Sequence, residues 1–442
     1  MTPINITVAA PSYIAANKNG GILKIMPKNQ NIDALIKQAV FETDPQKQIA
    51  QFRDIRRFAL DSGIYPASIQ GLYEAAGKGE FEGITVPAIN IRTLTYDVAR
   101  AVFRAALQDK VGALSFEIAR SEIGYTKQSP AEYAACILAA AIKEGFHGPV
   151  FIQGDHYQVR RAMYRENQES ELNDIKKLIK DSIEAGFYNI DIDASTLVDI
   201  SKTDLIEQQT KNSQVTAEMT RYIRSIEPKG VTVSVGGEIG EIGKGNSTVD
   251  DLRAFMNGYL KLIPRGTKGI SKISVQTGTT HGGVVLPDGS IAKVKIAFDT
   301  LKELSNVSRE EYGLGGAVQH GASTLPDEAF DMFPKVDAIE VHLATGFQNI
   351  VYDSPRFPKE LLGRMYSYLD TKCANERKTG ETEEQFHYNT RKKALGDFKK
   401  EMWNLPDADL QAIMEELENR FSLIFHKLNA IDTVKLVKKY VK

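Results

Sequence analysis

Between Ile84 and Gly346 the chain repeats one pattern: a short apolar run, a turn, then a longer stretch with apolar residues at helical spacing. The runs are ITVPAIN (84–90), VGALSFEI (111–118), PVFIQGD (149–155), YNIDIDAS (188–195), VTVSVGGEI (231–239), ISKISVQTG (270–278), LGGAVQHG (314–321) and DAIEVHLATG (337–346). β-branched and aromatic runs of this length, closed by turn residues, read as buried strands. Stretches such as YDVARAVFRAALQD, AEYAACILAAAIKEG and ESELNDIKKLIKDSIEAGF, which lie between them, read as helices. Eight strand–helix units in succession predict a parallel sheet with right-handed crossovers. Their span of about 260 residues suits a closed (β/α)8 TIM barrel. A doubly wound open sheet is the alternative. No GxGxxG follows the first run, so a dinucleotide site has no support.

The flanks have another texture. Residues 1–83 predict an N-terminal helical extension, with NIDALIKQAVF and PQKQIAQFRDIRRFALDSG as helices. Asp44 is placed to cap the second, with Pro45 in its first turn. Residues 84–350 form the expected barrel, and 351–442 a polar C-terminal helical region. The last carries the amphipathic LQAIMEELENRFSLIFHKLN, which would suit an arm joining two copies, so a homo-oligomer is expected.

Composition changes this picture little. The 442 residues are 42% hydrophobic and 25% charged, with a net charge of −2, so neither nucleic acid nor a membrane surface is indicated as partner. No apolar run is long enough to span a bilayer, and the first twenty residues lack the pattern of a secretory signal. The two distant cysteines, Cys136 and Cys373, make neither a disulfide scaffold nor a thiolate metal site. A reducing cytoplasm is the expectation.

Chemistry enters at the strand ends, where barrels build their sites. The third run ends in Asp155 and His156, the fourth in Asp191, Asp193 and Ser195, the fifth in Glu238, with Glu241 soon after. The sixth leads to His281, the seventh to His320, and the eighth carries His342. Neighbouring residues on a strand face opposite ways, so Asp155 and His156 share a pocket only if the strand's exit allows it. Four of seven histidines lie at or near these ends, whereas His147, His387 and His426 lie elsewhere as ordinary surface or helix residues. Neutral imidazoles from His156, His281 and His320 converging at one mouth would hold a divalent metal and leave positions open for substrate. His342 is either a pocket-wall residue or a hydrogen-bonded core residue. Glycines follow His281 and His320 (Gly282, Gly283 and Gly321, then Ala322 and Ser323), and amides clustered there would suit a phosphate.

In this order the motifs PAIN (87–90), GDH (154–156), IDAS (192–195), GGEIGEIG (236–243), GTTHGG (278–283) and HGAST (320–324) resemble the class II, metal-dependent ketose-bisphosphate aldolases, typified by fructose-bisphosphate aldolase. GDH and FYNIDIDAS are also similar to the tagatose-bisphosphate aldolase subunit branch. The resemblance implies reversible cleavage of a ketose phosphate, foremost fructose 1,6-bisphosphate, to dihydroxyacetone phosphate and glyceraldehyde 3-phosphate. His156, His281 and His320 would hold the ion, foremost zinc. Glu238 and Asp193 match acidic positions for a second or alternative metal position. Asp155 matches the acid/base at the substrate's C4 hydroxyl. Gly282, Gly321, Ala322, Ser323 and Thr345 would surround a phosphate, with a monovalent cation beside it.

Three departures bear on the substrate. Asn246 falls near the place of the family's mobile-loop glutamate, leaving Glu241 as a substitute or as a plain loop residue. His342-Leu-Ala-Thr345 stands where the family has Asn-x-Asp-Thr, so the phosphate pocket must differ. Glu117 stands where many members have serine, and a carboxylate there would disfavour a second phosphate. A ketose monophosphate or other sugar, a Schiff-base aldolase using Lys272, and a non-catalytic subunit are the competing readings.

Overall fold

The computed structural model describes residues 14–16, 22–24, 31–240, 245–278, 286 and 296–441. Eight parallel strands close into a barrel: β1 (Val86–Asn90), β2 (Ser115–Ala119), β3 (Gly148–Gln158), β4 (Asn189–Asp193), β5 (Ser234–Glu238), β6 (Lys272–Val275), β7 (Ala317–Gln319) and β8 (Glu340–Leu343). Each pairs with the next, and β8 pairs with β1, as Glu340 through Leu343 against Val86 through Ile89. Every apolar run of the sequence thus overlaps one barrel strand, and all but β3 are shorter than their runs.

Helices follow the strands and cover the outside. Pro130–Glu144, after β2, is capped by Ser129 and closed by Gly145 at φ +70°, and its alanine-rich face is buried. Alanine permits close helix–sheet approach there and keeps its helix propensity. Gln168–Ala185 after β3 ends the same way, at Gly186.

The extensions cover the barrel and do not project from it. Asp44 accepts from the amides of Gln46 and Lys47 and caps Pro45–Asp61, with Pro45 in its first turn as expected. Ile64–Ala67 forms a ninth strand of the sheet, paired to the first residues of β3 ahead of the point where β4 begins. The long helix Asp407–Lys427 packs on Thr95–Gln108, burying Ile413, Leu417, Phe421 and Phe425. The apolar face expected to join two copies is therefore covered by the barrel itself. At the amino ends of the strands, Leu72 and Tyr73 from Gln70–Gly77 join Val437 from Val434–Tyr440 in one apolar cluster with Val86, Phe151 and Val318. That plug closes one end of the barrel and leaves the carboxyl ends as the open mouth. No described helix is long and apolar enough to cross a membrane.

Candidate active site

Inward-facing positions recur every second residue along a strand. In this barrel they carry charge. Lys272 on β6, 1% exposed, meets Asp191 on β4 at 2.9 Å and also bonds Glu340 on β8. Gln153 on β3 donates to Glu117, Asp191 and Glu340 at 3.2, 3.1 and 3.0 Å. Tyr73 rises from the plug and donates to Glu340. Burial works against the Lys272 ammonium, yet the carboxylates of Asp191 and Glu340 hold its pKa well above the ordinary range. Glycine is required beside this network. A Cβ on Gly236 would lie 2.2 Å from Asp191 Oδ1.

One step nearer the mouth stand the candidate residues. Asp155 and His156 do share the cavity, and a local irregularity in β3 is the reason. The β3–β4 register shifts between Gly154 and Tyr157, and His156 has φ +40°. A bulge re-aims side chains, and the left-handed region is rarely occupied by non-glycine residues, so the local backbone is built around this placement. His156 and His320 lie with ring centroids 4.2 Å apart, and His320 and His342 at 4.0 Å.

Nδ1 of His156 faces Asp193 at 3.2 Å and Glu238 at 3.0 Å. Nε2 lies on the other side, 3.9 Å from Asp155 Oδ1. Asp193 also accepts from Gln158 and from the hydroxyl of Ser195, both at 2.6 Å. Burial would raise the Asp193 pKa, but these bonds and that to His156 hold it below the ordinary value. Burial, helped by Asp193, pushes Glu238 up to about 7. Burial lowers the pKa of His156, and the surrounding carboxylates, Asp155 first, more than reverse that.

His342 is buried and bridges the two layers. Its Nε2 lies 2.6 Å from Glu340, and its Nδ1 lies 2.9 Å from Glu117 and 3.2 Å from Asp155. Glu117 is fully buried, and burial pushes its carboxyl up to about 8. Glu117 faces the same cavity as Asp155, its carboxyl held between His342 Nδ1 at 2.9 Å and Gln153 Nε2 at 3.2 Å.

The donor set fits a divalent ion. Ligand atoms of Asp155, His156 and His320 lie within 4.8 Å of one another, as do those of His156, Asp193 and Glu238. Nitrogen and oxygen donors in such mixtures suit zinc and similar ions. His281, Gly282 and Glu241 lie outside the described residues.

A cleft of about 440 Å³ opens over these groups. Gly321, Ser323, His342 and Thr345 line it, with Asp155, His156 and His320 at its floor, while Ala322 is buried behind. The hydroxyl of Ser323 accepts from the amide of Ala344 at 2.6 Å, tying the loops after β7 and β8 together. Several lining residues were given no role from sequence, among them Asn90, Arg92 and Lys392. Asn90 and Arg92 directly end and follow β1, a position that could have flagged them. Nothing in sequence pointed to Lys392, which comes from the C-terminal region. Lys272, the Schiff-base candidate, lies below the cleft in the ion-paired layer and does not line it.

Fold and site together define a (β/α)8 barrel with an imidazole–carboxylate centre at its mouth. Residues 68–403 match the sequence pattern of the family described as fructose-bisphosphate aldolase class-II. The chain belongs to that family, whose members are aldolase-type lyases. No curated protein sequence matches it. Among solved structures it is similar to a fructose-bisphosphate aldolase from Campylobacter jejuni (17% identity, TM-score 0.50), covering 84% of this chain and 96% of that one. A fructuronate-tagaturonate epimerase from Cohnella laeviribosi shares the fold at 11% identity and TM-score 0.57, covering 85% and 86%. So does a probable tagatose 6 phosphate kinase from Sinorhizobium meliloti, at 14% and 0.52, covering 80% and 93%.

Proposed function

We propose that this chain is a metal-dependent aldolase that reversibly cleaves a ketose phosphate, first of all fructose 1,6-bisphosphate, into dihydroxyacetone phosphate and glyceraldehyde 3-phosphate. The observation that carries this reading is the β3 irregularity, which puts Asp155 and His156 into one cavity with His320. His156 and His320, joined by His281, would hold the ion. Asp193 and Glu238, expected as ligands themselves, contact Nδ1 of His156 and so free its Nε2 for the ion. When bound, a divalent ion supplies electrophilic stabilisation of the negative charge that develops as the carbon–carbon bond breaks.

The chain's own residues do the rest. Asp155 accepts the proton of the C4 hydroxyl during cleavage and returns it in condensation. His342, 3.2 Å from Asp155, orients that carboxylate. Gly321, Ser323 and Thr345, joined by Gly282, hold the phosphate, so remote binding energy positions the reacting carbons. Glu241 is the candidate for the second proton transfer. A cytoplasmic homo-oligomer is the setting this reading carries, with a monovalent cation at the phosphate.

The test is Asp155→Ala in metal-reconstituted protein. The ion should stay bound while kcat falls by roughly 100- to 10,000-fold. An unchanged kcat would remove Asp155 from the mechanism. Product analysis separates cleavage from epimerisation of the same sugar, the activity for which the Cohnella laeviribosi protein is named.

A further inference from the structure

Away from the barrel mouth, the C-terminal region encloses another cavity, of about 740 Å³, lined from the helices Lys359–Lys372 and Glu383–Thr390. Its lining is acidic. The carboxylates of Asp353, Asp370, Glu383 and Glu384 stand there against the guanidinium of Arg391. Arg391 is already engaged by Asp353 at 2.6 Å and by Asn349 at 2.6 Å. Among the described residues, no lysine or arginine forms an ion pair with Asp370, Glu383 or Glu384.

Carboxylates alone would make a solvated face, but this cavity also holds an imidazole. His387 is 7% exposed, and its ring stacks on Tyr366, with centroids 4.2 Å apart and planes 17° from parallel. Burial and the stack fix the ring with Nε2 2.8 Å from Asp370 Oδ1. Glu383 lies four residues before His387 in the same helix, and residues at that spacing share a face. Thr382 and Gln385 close a capping box at the start of the helix, so this face is held in register. Ligand atoms of Asp370, Glu383 and His387 lie within 4.8 Å of one another. Zinc takes nitrogen and oxygen donors at about 2.0–2.2 Å in a tetrahedron, which puts paired donors roughly 3–3.5 Å apart. Nε2 and Oδ1 stand close to that spacing, and the exposed Glu383 side chain has the rotamer freedom to complete it.

We propose that Asp370, Glu383 and His387 form a structural site for zinc or a similar divalent ion, separate from the barrel mouth. The ion would tie the helix Lys359–Lys372 to Glu383–Thr390 and neutralise the acidic cavity between them. The imidazole selects borderline ions over magnesium, which prefers oxygen donors and keeps its water. The site stands whichever reaction the barrel performs.

The experiment titrates zinc calorimetrically into the full chain carrying His320→Ala, which weakens the centre at the barrel mouth. Binding should persist there and should weaken at least about 10- to 100-fold when His387→Ala or Glu383→Gln is added. Glu383 is exposed, so Glu383→Gln should match its parent in Tm without metal, and its loss of zinc is then a loss of a ligand. Zinc should also slow hydrogen exchange in residues 359–372 and 383–390 of the His320→Ala protein, and His387→Ala should erase that protection. Zinc affinity unchanged by both added substitutions, or magnesium displacing zinc at equal concentration, would overturn the site and leave an acidic patch only.

Discussion

Lys272→Met is the sharpest probe of the charged layer beneath the site. The substitution keeps the chain length of the side chain and removes its ammonium. Asp191, 2.9 Å from that nitrogen, and Glu340 then face each other across a water-poor interior with one shared cation fewer. Gln153 Nε2 at 3.1 and 3.0 Å, together with His342, cannot replace a full charge for both. Removing one partner of a buried ion pair costs about 3–5 kcal/mol. An unfolding entropy near 2.1 cal/mol/K per residue gives about 0.9 kcal/mol/K for this chain, so Tm should fall by roughly 3–5 °C. Differential scanning calorimetry reads this directly. Replacing both Lys272 and Glu340 by methionine should cost less than the sum of the single changes, because the second removes the charge that the first exposes. A Tm for Lys272→Met within about 1 °C of wild type, the scatter of single surface changes, would refute the reasoning. The same residue bears on the Schiff-base alternative: borohydride with substrate should leave no adduct on Lys272 of the wild-type protein.

Two further outcomes follow from the packing. Burial pushes the carboxyl of Asp97 from the ordinary 3.8 to about 6, against the opposing pull of Arg100. The folded state therefore holds this proton more tightly than the unfolded chain, and stability falls as pH rises between those values, by up to about 3 kcal/mol. Urea titrations should show Asp97→Asn gaining on wild type from pH 4 to pH 7, and a pH-independent difference would contradict this. Gly236→Ala brings its methyl within 2.2 Å of Asp191 and 3.0 Å of the Lys272 side chain. It should destabilise the fold by about 1–3 kcal/mol as an overpacked interior, and a neutral effect in calorimetry would show that the charged layer is loose.

The barrel was legible because each buried parallel strand is a continuous apolar run, and eight such runs alternate with helical periodicity. The ninth strand, Ile64–Ala67, escaped notice because four residues with Pro66 inside are too short and too interrupted a run to read as a strand. The histidines and Asp155 were legible as residue types at strand ends. Their shared orientation was not, since strict alternation would separate Asp155 from His156 and only the β3 irregularity unites them. Glu117 was found but its partner was not: His342 lies on another strand, and sequence cannot give a cross-barrel contact. Asp191 and Lys272 were legible as polar residues on strands and Glu340 was not singled out; only closure of the barrel turns the three into one network. Lys392 reaches the cleft through tertiary packing of a polar helical region that carried no motif.

The central claim is that imidazoles at the barrel mouth hold an ion needed for carbon–carbon cleavage. Chelated and zinc-reconstituted protein should be compared for release of glyceraldehyde 3-phosphate from fructose 1,6-bisphosphate, with bound metal measured on the same samples. The account predicts cleavage only in the reconstituted sample, with loss of both metal and cleavage in His320→Ala. Full cleavage by the chelated, metal-free protein would contradict it.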